Sequence, residues 1–345
     1  MKKILSFILA VIIIPSVLTS CGSNLDAKAN GDTDKVESSF FAMDTSMEFS
    51  IYGDEKLLDE GEKILKDLAD QVSVTDENSE IYKINKEGKG KITGKGAELM
   101  EKSLELCKVT DGALDISIYP IVRQWGFTTD NYKVPTDESI KKILQSVSYK
   151  KIKYNKKSKT VTLDKNMEID LGSVAKGYGG KLVADYFREK GVTSGILNLG
   201  GNVQTIGAKP DGSPWKVAIK DPQDQSNMAV LSVKDKCVIT SGGYERYFEE
   251  DGKTYWHIMD PATGKPANSG LLSVTIVGDD GLVCDGLSTS LFIMGLDKAV
   301  EFWKQNGNFE AVFVDTKGEI YITEGLKETF ALTQSHSHKK VSVIS

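Results

Sequence analysis

The sequence predicts an α+β fold: one large domain with interspersed helices and mixed or antiparallel sheets. Three observations predict it. Apolar residues recur at three-to-four spacing in several stretches, short β-rich runs lie between them, and the two alternate without the strict rhythm of a doubly wound sheet. The first helix is expected over 55–72, where Leu57, Leu58, Gly61, Ile64, Leu65, Leu68 and Val72 share a face. Similar stripes predict helices over 95–109, 137–146, 174–190 and 297–306. Strands are expected at 47–52, 151–154, 160–163, 195–198, 215–220, 274–277, 311–314 and 320–323.

The two ends read differently from this body. Lys2 and Lys3 precede an uncharged apolar run, Ile4 to Leu18, interrupted by Ser6, Pro15 and Ser16, so residues 1–20 read as an export signal and not as a membrane span. The run ends in Leu18-Thr19-Ser20-Cys21, which resembles the bacterial lipoprotein box. That resemblance implies cleavage before Cys21, lipid on its thiol and residence at the outer face of the cytoplasmic membrane. Residues 21–38 are polar and aperiodic, as expected of a flexible tether. The folded domain is then expected over 39–333, with 334–345 a loose polar tail.

The formal charge is −6, and loss of Lys2 and Lys3 with the signal takes the mature chain to −8, which gives no support to nucleic-acid binding. With Cys21 lipidated, Cys107, Cys237 and Cys284 remain. They are odd in number, lack C-x-x-C spacing and sit beside Leu106, Val238 and Val283, so core thiols are expected and not a disulfide framework or a zinc site. Phosphate-loop, dinucleotide-binding, serine-hydrolase and zinc-protease signatures are all absent. With only three histidines, a bound metal is expected on oxygen.

Two segments concentrate oxygen chemistry. In Asp170-Leu171-Gly172-Ser173-Val174-Ala175-Lys176-Gly177-Tyr178, small residues meet the start of an amphipathic helix, and a helix N-terminus with Lys176 in its first turns suits a phosphate. Asp170 and the carbonyl or hydroxyl of Ser173 offer hard ligands to a cation. In Cys284-Asp285-Gly286-Leu287-Ser288-Thr289, a carboxylate and a hydroxyl four residues apart share a helix face, an incomplete oxygen shell of the kind magnesium uses beside phosphates. Each segment alone also reads as a capped helix start, with Asp170 or Asp285 as N-cap. Two half-sites of one chemical kind in one chain favour the cation.

Further polar clusters are spread along the chain: Ala42-Met43-Asp44-Thr45, Gly112-Ala113-Leu114-Asp115-Ile116-Ser117, Pro120 to Phe127, Asn198-Leu199-Gly200-Gly201-Asn202, Thr240 to Arg246, and His257-Ile258-Met259-Asp260-Pro261-Ala262-Thr263-Gly264. Together with the two half-sites, this series resembles the ApbE family of FAD:protein FMN transferases over nearly the whole domain, from Phe41 to about Gly295.

The resemblance implies a magnesium-dependent reaction in which FAD is split, FMN is joined by a phosphodiester to a threonine or serine of a target protein, and AMP leaves. It places the metal on Ser173 (through its backbone oxygen), Asp285 and Thr289. It places the flavin nucleotide on Met43, Asp115, Asp170, Lys176, His257 and Met259, with Ala113 and Leu114 in the same stretch as Asp115. Lys176 stands where some relatives carry glutamate. His257 is the candidate general base and Asp285 the catalytic metal ligand. The implied partners are FAD, exported flavin-acceptor redox proteins and the membrane. Two other readings share the site: an FAD-binding surface lipoprotein, and an FAD pyrophosphatase that frees FMN and AMP.

Overall fold

The computed structural model describes residues 34–345, so the signal, Cys21 and the tether up to residue 33 lie outside the described residues. Along Thr45–Tyr52 the side chains of Met47, Phe49 and Ile51 are buried while Glu48 is exposed, the period of a strand with one face on a core. This strand, β2, belongs to a nine-stranded sheet whose members neighbour each other in chain order. They are β1 (Lys35–Ala42), β2, β3 (Ser194–Leu199), β4 (Asn202–Gly207), β5 (Cys237–Gly242), β6 (Leu271–Gly278), β7 (Glu310–Asp315), β8 (Ile320–Thr323) and β9 (Val341–Ile344). Pairing is antiparallel from β1 through β8, and β9 joins β8 in parallel.

The middle of this sheet is covered on both faces, and its strands show it. Ile239, Ile276, Ala311 and Phe313 join a core beneath the helices. Their neighbours Val238, Val277, Val312 and Val314 join a second core on the opposite side. There a small sheet of Trp215–Lys220, Asn227–Val233 and Phe330–Leu332 packs against them. Double burial gives near-continuous apolar runs in place of alternation.

Four helices position the site: α1 (Lys56–Val72), α2 (Gly94–Val109), α3 (Gly172–Glu189) and α4 (Gly281–Met294). The expected helical face of α1 is the one that packs, with Leu58, Gly61, Leu65, Leu68 and Val72 buried. Gly61 admits the Phe187 ring of α3, whose Cζ lies 2.8 Å from where a Cβ would stand. Helix α4 begins earlier than expected. Its N-cap is Asp280, whose Oδ1 accepts from the Leu282 and Val283 amides at 3.0 and 3.2 Å, so Asp285 lies inside the helix and is not its cap.

Two expected boundaries are corrected. β1 starts at Lys35, so the domain takes in the last residues assigned to the tether, because Lys35 pairs with Tyr52. The tail expected to be loose from 334 is built into the fold: Gln334–His336 makes a 3-10 turn and β9 pairs with β8. Asp221, buried, anchors it, with the Lys339 ammonium 2.6 Å and His336 Nε2 3.5 Å from its Oδ2. That grouping, with Asp224 beside it, has its acid already matched by a lysine.

Candidate functional site

The two half-sites meet where α3 crosses α4. Contact is close because both helices present glycine: a Cβ on Gly177 would stand 2.0 Å from the Gly281 carbonyl oxygen, and one on Gly281 would stand 2.3 Å from the Gly177 oxygen. At this crossing Asp285 is buried, and its Oδ2 accepts from the Gly177 amide at 2.8 Å. In a regular α-helix the Gly177 amide closes onto the Ser173 carbonyl. Gly177 follows Ser173 by one helical turn on α3, so Asp285 meets α3 one turn beyond Ser173.

Thr289 follows Asp285 by one turn on α4, and its Oγ1 lies 3.2 Å from the Ser241 hydroxyl of β5. Ser241 also meets Ser288 at 2.7 Å, and Ser288 donates to the Asp285 carbonyl at 2.8 Å. Asp285 and Thr289, one turn apart on α4, thus lie at the crossing with the stretch of α3 that follows Ser173. Asn202, at the start of β4, completes the carboxylate's partners by donating from Nδ2 to Asp285 Oδ1 at 3.0 Å. Neither Asn202 nor Ser241 was singled out as a site residue. Both lie within the series of polar motifs, but only the sheet brings them to Asp285.

Asp285 accepts from two neutral donors, and burial raises its carboxyl above the usual range, opposed by Lys176, the Gly177 amide and Asn202. A buried carboxylate held this way is short of positive charge. The Lys176 charge reaches Asp170, Glu245, His257 and Asp285 alike, so this lysine is the hub of the site. Asp170 is raised by burial while its Oδ1 accepts from the Gly172 amide at 2.8 Å at the opening of α3. Part of Glu245 stays exposed, yet the protein around it pushes its carboxyl up to about 7, with Lys176 opposing and Asp285 adding. Glu245 and Arg246 are further residues that sequence reasoning did not assign, although both lie in the Thr240 to Arg246 cluster.

Lys176, Gly177, Asn202, Gln204 and Gly281 line a cavity of about 10 Å³ at the crossing, room for a single water-sized sphere. The larger concavity of about 480 Å³ lies elsewhere, among Lys89, Lys153, Tyr154 and Thr160, and contains none of the candidate ligands. Its open mouth and lack of paired acids make it the poorer candidate.

His257 borders the site beside Phe127, with ring centroids 6.3 Å apart. Its Nδ1 lies 3.1 Å from the Arg246 carbonyl oxygen, so Nδ1 carries the proton and Nε2 keeps its lone pair. Burial lowers its pKa to about 4, the Arg246 carbonyl opposing and the Lys176 and Arg246 charges adding. The unfolded chain, with imidazole near 6.5, binds more protons between pH 6.5 and 4, so this residue's contribution to stability falls as pH drops through that window. We expect the destabilisation caused by His257→Gln to be largest at pH 7 and to shrink by up to about 3 kcal/mol by pH 4. Urea unfolding of both proteins across this range measures it.

The remaining expected residues are distributed unevenly. Met43 and Asp44 form the two-residue turn between β1 and β2, both with positive φ (48° and 60°), the conformation of a type I′ hairpin. A methionine in that region is strained. Its side chain reaches α3, the Met43 Cε lying 3.9 Å from where a Gly179 Cβ would stand. Asp115 is buried with both oxygens engaged: Oδ1 accepts from the Ser117 amide and hydroxyl at 2.9 and 2.6 Å, Oδ2 from the Tyr149 amide at 2.8 Å. It shapes its own loop. Ala113 is half-buried in that loop, and Leu114 is a core residue packed against Gly286 of α4. Met259 is buried with Ile121, Trp125, Phe127 and Ile140 behind His257.

Known proteins share both the motifs and the fold. The ApbE family model matches residues 43–313. A Haemophilus influenzae protein named FAD:protein FMN transferase is 32% identical over 323 residues, covering 89% of this chain and 91% of its own length. A Vibrio cholerae protein of the same name is 32% identical over 254 residues, covering 71% and 75%. The crystal structure of an ApbE protein from Thermotoga maritima superposes with a TM-score of 0.81 at 31% identity, over 86% of this chain and 99% of that one. A flavin transferase ApbE structure from Vibrio cholerae gives 0.77 at 27% identity, over the same shares. Agreement in sequence and in fold over most of the chain has one explanation: the chain belongs to the ApbE family.

Proposed function

We propose that this protein is an FAD:protein FMN transferase. In this reading it cleaves FAD with magnesium, joins FMN through a phosphodiester to a threonine or serine of an exported acceptor, and releases AMP. The observation that carries it is the buried Asp285 carboxylate at the α3–α4 crossing, bonded to the Gly177 amide one turn beyond Ser173, with Thr289 one turn on and Lys176 beside it. Relatives of that name at 32% identity support it.

The donor set fits magnesium: a carboxylate, a hydroxyl and a backbone carbonyl, with no sulfur or imidazole, around an acid short of positive charge. Ser173, Asp285 and Thr289 would hold the ion, which when bound neutralises the pyrophosphate and stabilises charge in the transfer. Lys176 adds a second positive charge for the phosphates, and the first amides of α3 offer donors to them. The acceptor oxygen forms its bond to the FMN phosphorus as the bridging bond to AMP breaks, and AMP leaves with the bridging oxygen. His257 Nε2, unprotonated at neutral pH, would take the hydroxyl proton, and an anionic nucleotide beside it would raise its proton affinity. Lipid on Cys21 would hold the enzyme at the outer face of the cytoplasmic membrane, so its acceptors are exported redox proteins.

The test is to incubate the purified full-length protein with FAD, magnesium and exported proteins, then search by mass spectrometry for FMN on threonine or serine. An adduct with matching AMP is expected. Free FMN and AMP without adduct would make the protein a pyrophosphatase, and intact FAD would make it a carrier.

A further inference from the structure

The fold separates the three core cysteines. Cys107 lies on α2 in the helical layer, whereas Cys237 opens β5 and Cys284 lies in the first turns of α4. The β5–β6 register sets Cys237 directly opposite Gly278. A Cβ on Gly278 would stand 2.8 Å from Cys284 Sγ, so the sulfur occupies the space left beside Cys237 by the missing side chain. Both thiols are free in the structure, and Cys237 Sγ donates to Gln204 Oε1 at 2.7 Å. Neither has appreciable contact with solvent.

We propose that Cys237 and Cys284 are joined by a disulfide in the mature protein, stapling the strand that carries Ser241 to the helix that carries Asp285 and Thr289. The proposal rests on the export reading for its setting, since disulfides persist in oxidising compartments. The oxidant is a protein or small-molecule disulfide. One cysteine thiolate attacks it, the second displaces the mixed disulfide, and the oxidant leaves as two thiols while the pair loses two protons and two electrons. Burial of both sulfurs places this exchange before α4 docks on β5. The bridge closes a loop holding the Tyr247–Glu250 and Lys253–Trp256 hairpin and the His257 turn. Successive side chains on a helix point about 100° apart. Cys284 is thereby pinned toward the sheet while Asp285 points to α3.

The full-length protein is refolded with oxidised glutathione, alkylated under denaturing conditions and digested without reductant. A linked peptide pair containing Cys237 and Cys284 is expected, with Cys107 alkylated. The melting temperature is expected to lie roughly 5–10 °C above that in reductant. Cys237→Ser should melt alike in both conditions, and Cys107→Ser should keep the difference. Alkylation of Cys107, Cys237 and Cys284 alike, a bridge through Cys107, or equal melting with and without reductant would overturn the proposal. Thiol state and melting are read without flavin, so they stand apart from the outcome of the transferase test.

Discussion

Asp285→Asn is expected to lower FMN transfer and AMP release by about 10³-fold at ordinary magnesium concentrations, the scale of losing one strong electrostatic contact in a transfer site. The same substitution is expected to leave the melting temperature of the magnesium-free protein unchanged or slightly higher. Burial already disfavours the Asp285 charge, so a neutral isostere removes an unfavourable term at pH 7. The hydrogen bonds survive: the new amide oxygen still accepts from Gly177, and Asn202 can turn its own amide over to accept from the new NH2. Asp285→Ala removes both acceptors as well and should abolish AMP release and acceptor labelling together. The check is a magnesium titration of AMP release and adduct formation beside a thermal melt. Full transfer by either variant would remove Asp285 from the metal site.

The second large effect is expected at Gly177. An alanine there would place its Cβ 2.0 Å from the Gly281 carbonyl oxygen and 2.7 Å from the Asp285 Cβ. The first obstacle is backbone, so no rotamer change relieves it and α3 must move away from α4. We expect Gly177→Ala to cost about 2–4 kcal/mol, at or above the usual range for overpacking, because two helices must separate. FMN transfer should fall below detection in the same variant as the Gly177–Asp285 hydrogen bond opens. Gly281→Ala should act similarly, and the double variant should cost much less than the sum, since one separation accommodates both methyl groups. Denaturant unfolding of the three variants measures this; additive costs would show that the contact is not shared.

Much of this arrangement is written locally in the chain. The apolar stripe of α1, the oxygen-rich pair Asp285 and Thr289 one turn apart, and the small residues ahead of Lys176 are patterns within a few neighbours. Other features have no local signal. β5, which ends in a cluster read as polar, and β9, inside a tail read as loose, become strands because partners across the sheet accept them. Asp280 and Asp285 are both plausible caps by composition, and the helix that forms selects Asp280. Asp115 carries the right chemistry for a ligand, but its loop engages both carboxylate oxygens before any nucleotide arrives.

By itself the sequence determined the α+β class, the family resemblance and the residue types of the candidate cation site, because periodicity and motif order are properties of neighbours along the chain. The tertiary structure alone decided that Gly177 touches Gly281, that Asn202 and Ser241 serve Asp285 and Thr289, and that Cys284 fills the space opposite Cys237. These contacts join residues dozens of positions apart. Their geometry comes from strand register and helix crossing, which exist only once the sheet has formed.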